Sequence, residues 1–168
     1  MGECMAWNPS TPLSSPPGAA VIDANVLIGV CAREPNKYLK ANAALATYGM
    51  KDYHLYAPSV IVSETLYILC GKLNRGDMTA AQHAAAIQIF DAMMQDILPA
   101  PNGEASLIRR AEQIRAGYGC SRSADGLYIA LAEELAKSMP TELVTFDLDL
   151  PKQAANHAPT IVVNLITI

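Results

Sequence analysis

Cysteine and histidine are too few and too scattered to build a zinc site. Cys4, Cys31, Cys70 and Cys120 form no C-x-x-C pair, and His54, His83 and His157 are equally dispersed. Cys31 and Cys70 stand in apolar surroundings that suit buried thiols, and a reducing cytoplasm is the default compartment. No stretch reaches the roughly 18 uncharged apolar residues of a membrane helix, so no membrane partner is expected. Residues 1–18 have neither a basic n-region nor an apolar h-region and do not read as a secretion signal. Positive charge is scarce as well: 12 Lys and Arg stand against 16 Asp and Glu, a net charge of −4. A broad basic face of the kind many nucleic-acid binders carry is therefore excluded.

The 168 residues suffice for one domain with a full core, and 51% hydrophobic against 17% charged residues marks a globular chain. Prolines and serines in residues 1–18 suggest a mobile arm ahead of a domain over 19–168. Short Val/Ile-rich runs predict strands at Ala19 to Ile22, Tyr53 to Ala57, Leu143 to Thr145 and Ile161 to Asn164, with a weaker one at Ile97-Leu98. Amphipathic stretches between them predict helices over 37–50 capped by Asn36, 60–73 capped by Ser59, and 80–96 capped by Thr79. Further helices are expected over 104–116, from Ser123 to about Lys137, and after Asp149 or Pro151, with a short one over 26–31. Strands alternating with helices argue for βαβ units and a sheet covered on both faces. Right-handed crossovers bring the carboxyl ends of all strands to one edge, where open α/β sheets bind ligands.

Against that frame, four carboxylates occupy positions where a charge is hard to justify by structure alone. Asp23 ends the run Ala19 to Ile22, and Asp147 follows Leu143-Val-Thr-Phe146, so both arrive at the ligand edge. Glu64 interrupts Val60 to Leu69, flanked at helical spacing by Val60, Ile61, Tyr67 and Ile68, which aims it toward the protein. Asp125 opens an apolar helix, where it could equally serve the helix dipole. Asp23 could be a turn or cap residue, with Asn25 filling the same cap or holding the Asp23 carboxylate. Asp149 competes with Asp147 but reads better as the cap of the next helix, and Thr145 can bond a neighbouring carboxylate. If the four acids converge, a divalent cation between them is the economical explanation, and a metal held by carboxylates points to phosphate chemistry.

Val21-Ile-Asp-Ala-Asn-Val-Leu-Ile28, Ser63-Glu64, Ser123-Ala-Asp-Gly-Leu-Tyr-Ile-Ala-Leu-Ala-Glu133 and Leu143-Val-Thr-Phe-Asp-Leu-Asp-Leu150, in that order, carry a resemblance. From about Ala19 to Ile168 the chain resembles a PIN domain, the metal-dependent ribonuclease fold of VapC-type toxins. The resemblance implies a three-layer α/β/α sandwich around a mostly parallel sheet. It implies Asp23, Glu64, Asp125 and Asp147 as catalytic and metal-binding residues for Mg²⁺ or Mn²⁺. Asn25, Thr145 and Asp149 would support them. The same resemblance implies an RNA substrate, a cognate antitoxin and a homodimer.

For RNA contact, Arg122, Arg109, Arg110 and Arg115 are the candidates, with a solvated helix face as the alternative. Two other functional readings stay open. One is the same fold kept as a non-catalytic binding or scaffolding module. The other is a haloacid-dehalogenase-type phosphatase, which needs a second Asp where this chain has Asn25.

Overall fold

Ala19–Ile22 is wholly removed from solvent, and that burial explains its unbroken apolarity. The computed structural model describes residues 18–120 and 124–168; the proposed arm, all but Gly18, lies outside them. Ala19–Ile22 (β1) is the central strand of a five-stranded, all-parallel sheet. His54–Tyr56 (β2) and Thr141–Thr145 (β4) flank it, and Ile97–Leu98 (β3) and Val162–Leu165 (β5) form the two edges. In register, Val21 stands between Tyr56 and Leu143, and Ile22 lies beside Val144. A parallel sheet covered on both faces needs such continuous apolar strands.

Seven α-helices among the described residues cover the sheet: Ala24–Cys31 (α1), Tyr38–Met50 (α2), Val60–Asn74 (α3), Ala80–Met94 (α4), Ile108–Gly117 (α5), Asp125–Ala136 (α6) and Leu150–His157 (α7). α1 packs on α2, α3 and α4, while α5 packs on α6 and α7. With right-handed crossovers these are the two outer layers of an α/β/α sandwich, as expected from the sequence. No described helix is long and apolar enough to cross a membrane.

The helix starts differ from expectation in instructive ways. Thr79 does cap α4, in a full capping box: its Oγ1 accepts the Gln82 N–H at 3.2 Å and Gln82 Oε1 accepts the Thr79 N–H at 2.7 Å. Ser59 precedes α3 without capping it, and its N–H donates instead to Glu104 Oε1 at 2.6 Å. Glu104 belongs to a 3₁₀ turn, Glu104–Ser106, so the single helix expected over 104–116 is a turn followed by α5. α2 begins one residue later than expected, with Lys37 rather than Asn36 at its cap position. Ser123 lies outside the described residues. Cys31 is buried as expected, but Cys70 is exposed, because it stands on an outer face of α3 while its neighbour Leu69 takes the core side.

α5 and α6 approach closely at Gly126, where an added Cβ would stand 2.7 Å from the Ala111 carbonyl oxygen. Gly126→Ala must push the two helices apart, a misfit that costs about 1–3 kcal/mol. A lowered urea midpoint with an unchanged slope is the expected result, and an unchanged midpoint would refute the contact.

Candidate active site

The strand order places β1 and β4 side by side although the chain leaves them in opposite directions. That is the topological switch point of the sheet, the crevice where open α/β folds bind ligands. Asp23 follows β1 directly and occupies the cap position of α1, but its side chain makes no cap hydrogen bond. It turns instead toward β4. Thr145 Oγ1 donates to Asp23 Oδ2 at 2.6 Å, and Asn25 Nδ2 donates to the same oxygen at 2.7 Å.

The Thr145 hydroxyl is used to capacity. Its one proton goes to Asp23, and its oxygen accepts Asn25 Nδ2 at 3.1 Å and the Asp147 N–H at 2.8 Å. Asn25 is fixed at its other end too, since its Oδ1 accepts the Phe146 N–H at 3.0 Å. Asp147 Oδ1 accepts the Asp149 N–H at 2.8 Å, which turns the chain after β4 into α7. Asp149 does not cap that helix with its side chain; it pairs with Lys152 at the surface.

The remaining two acids arrive on helices. Glu64, on α3, accepts the Tyr128 hydroxyl on Oε2 at 2.7 Å. Asp125 opens α6, and its Oδ2 accepts Nε2 of Gln153, a residue of α7 that is only 4% exposed. Asp23, Glu64, Asp125 and Asp147 all line one depression of about 440 Å³. Among the described residues, no three acids are gathered tightly enough to enclose an ion. They ring the depression without forming a closed cage.

Charge accumulates there without full compensation. Burial raises the Asp23 carboxyl from 3.8 to about 7; the negative charges of Asp125 and Glu64 add to the rise, while hydrogen bonds from Thr145 and Asn25 oppose it. Glu64 is raised as well, by burial and by Asp125, against the Tyr128 hydrogen bond. Burial and the neighbouring Glu64 push the Tyr128 hydroxyl up, so it stays protonated and remains a donor.

Of the arginines expected to meet a substrate, Arg110 is committed elsewhere. It grips Glu133 through two hydrogen bonds and donates to the His157 carbonyl, joining α5 to α6 and α7. Arg109 is exposed on α5, and Arg122 lies outside the described residues. Arg115 pairs with Glu112 and lines a second depression, of about 520 Å³, that shares Glu64 with the first. The cations that line the acid depression are Lys37, Lys72 and Arg75, none of them singled out from the sequence. Glu64 is also less enclosed than its helical neighbours implied, since Tyr67 is exposed and Ile68 borderline.

A family model for the PIN domain matches residues 20–156. The chain belongs to the PIN domain family. The family is one of nucleases, which supports hydrolysis of nucleic acid as the class of chemistry. No curated protein sequence matches this PIN domain. Its fold is similar to VapBC2 from Rickettsia felis bound to a DNA fragment from its promoter, at 14% identity and a TM-score of 0.55, covering 88% of this chain and 98% of that one. It is equally similar to FitAcB from Neisseria gonorrhoeae, at 17% identity and a TM-score of 0.55, covering 86% and 95%.

Two tests address the acid bracing of this PIN domain. Thr145→Val strands the partners of a fully buried hydroxyl and should cost about 1–3 kcal/mol, largely recovered in Thr145→Ser, in urea unfolding. The raised Asp23 carboxyl destabilises the fold once it ionises. Its penalty is absent below pH 4 and complete above about pH 7, so stability of the metal-free protein should fall as pH rises across that window. Asp23→Asn should flatten that slope; the same slope in both proteins would assign it to another group.

Proposed function

We propose that the protein is a divalent-metal-dependent endoribonuclease, acting as the toxin of a toxin–antitoxin pair. One observation carries the nuclease half of this reading. Four acids from β1, α3, α6 and the end of β4 meet at the switch point of a PIN fold, and the most buried of them is held by neutral donors alone.

The residues fit a hard cation. Asn25 and Thr145 orient Asp23, and Tyr128 orients Glu64, without cancelling either charge. An all-oxygen donor set of this kind suits Mg²⁺ or Mn²⁺, with Asp23, Glu64, Asp125 and Asp147 as the holders. Mg²⁺ keeps several waters and shares itself with substrate phosphates, so an open ring of acids serves it better than a cage. When bound, the ion supplies positive charge for the phosphoryl and departing oxygens of the substrate.

The chain's own residues do the positioning. Asp23 is the buried member at the sheet edge, tied through the Thr145 hydroxyl to the backbone of Asp147. Glu64 and Asp125, half-exposed, face the space a scissile phosphate would enter and can accept a hydrogen from the attacking water. Gln153 holds Asp125 to α7 so that this oxygen does not drift.

The similarity of the fold to VapBC2 and FitAcB supports the toxin role and a cognate antitoxin partner. A homodimer and a cytoplasmic setting belong to the same reading, in keeping with three free cysteines among the described residues. The open ring of acids also suits a binding module without catalysis, and experiment separates the two.

Incubated with RNA and Mg²⁺ or Mn²⁺, the protein should release fragments by internal cleavage. Asp23→Asn should lower the rate by about 100-fold or more; equal cleavage by that variant would overturn the assignment. A metal bound only by the native state at 100 times its Kd adds about 2.7 kcal/mol, a Tm rise of roughly 5–10 °C for this size. Millimolar Mn²⁺ without any rise would favour the binding module.

A further inference from the structure

α3 sends a second set of side chains into the acid depression, and none of them is acidic. Tyr67, Ile68, Lys72 and Arg75 share with Glu64 one face of a 3.6-residue helix, and all line the depression. From Glu64 to Arg75 this stripe runs roughly 16 Å.

The Tyr67 ring is 77% exposed, so core packing does not account for its place beside the acids. Gly71 opens a gap further along. A Cβ there would come within 3.1 Å of Arg75 Nη1, so the guanidinium lies back over Gly71, one turn closer to Tyr67. Asp77 takes only the Arg75 Nε, at 3.0 Å. Lys72 and Lys37 share a single carboxylate, Glu34, at 2.7 and 3.0 Å, which leaves positive charge in excess.

An exposed aromatic ring followed by cations along a groove is how proteins hold single strands: bases stack on the ring and phosphates follow the charge. Tyrosine and arginine occur in protein interfaces as well, but interface cores are depleted of lysine, and the two lysines here favour a phosphate backbone. We propose that the α3 stripe seats an unpaired nucleic-acid strand beside the acid centre, with Tyr67 stacking a base and Arg75, Lys72 and Lys37 taking phosphates. The assignment rests on the nuclease reading and adds to it a positioning surface and a direction of entry.

The test measures binding apart from cleavage. The full chain, with metal chelated, is titrated against a fluorescein-labelled oligouridylate and followed by anisotropy across a salt series. Tyr67→Ala should weaken binding roughly 5- to 150-fold, the range for one stacked base, while Tyr67→Phe keeps it. Arg75→Gln and Lys72→Gln should each reduce the slope of log K against log salt by about one. Unchanged thermal midpoints for the exposed Tyr67 and Arg75 variants, and a modest drop at most for Lys72→Gln, which loses its Glu34 ion pair, show that the variants are folded. Failure of the unaltered protein to bind, or equal binding by Tyr67→Ala, overturns the stripe. So does a Tyr67→Ala protein whose only change is a shift from dimer to monomer, which reassigns the face to a second copy. Binding that follows the predicted pattern with no cleavage on adding metal supports the stripe and sinks the nuclease reading alone. Cleavage with unaltered Tyr67→Ala binding does the reverse.

Discussion

The Thr145 hydroxyl is the hinge on which the acid centre turns. It is fully buried, and all of its hydrogen-bonding capacity is spent on Asp23, Asn25 and the Asp147 backbone. β1 and β4 are already neighbours, since the Asp23 N–H donates to the Val144 carbonyl at 3.0 Å. The hydroxyl converts that backbone pairing into a fixed side-chain geometry. A valine in its place would preserve the volume and lose the arrangement, because three polar groups would be left short inside the protein.

The choice of neutral bracing is physically consequential. A lysine or arginine beside Asp23 would have lowered its carboxyl and stabilised the fold, at the cost of filling the depression with the wrong charge. Asn25, Thr145 and Tyr128 aim Asp23 and Glu64 while leaving their charge available. The structure tolerates the resulting repulsion by keeping the four acids around a rim rather than at a point. Positive charge is held one step away, on the Lys37, Lys72 and Arg75 side of the same depression.

Much of this was legible in the sequence, and the reasons are specific. Asp23 and Asp147 follow strands, and parallel sheets bring strand ends together whatever the loops do. Thr145 and Asn25 were legible as polar neighbours of those acids. Glu64 does line the depression, but not on a buried helix face: Tyr67 and Ile68 look like core residues at helical spacing, yet they line the depression too. Periodicity reports that a helix has an apolar face and is silent on whether that face meets the core or a groove. The same ambiguity misplaced Cys70. Gln153 was missed, though it shares the Leu150 and Ala154 face of α7 and is buried with them; a polar residue on such a stripe was the available signal. Arg110 looked free because its partner Glu133 lies 23 residues away and the His157 carbonyl 47 away.

Asp23 and Thr145 are 122 residues apart, so the centre depends on distant parts of the domain meeting. A chain still emerging from the ribosome can form β1, β2 and β3 with their helices before β4 exists. Until Thr141–Thr145 inserts beside β1, Asp23 has only Asn25 to hold it and lacks the Thr145 hydroxyl that ties it to the Asp147 backbone. The topology thereby withholds the assembled centre from the nascent protein and delivers it only once β4 has been made and has found its place beside β1.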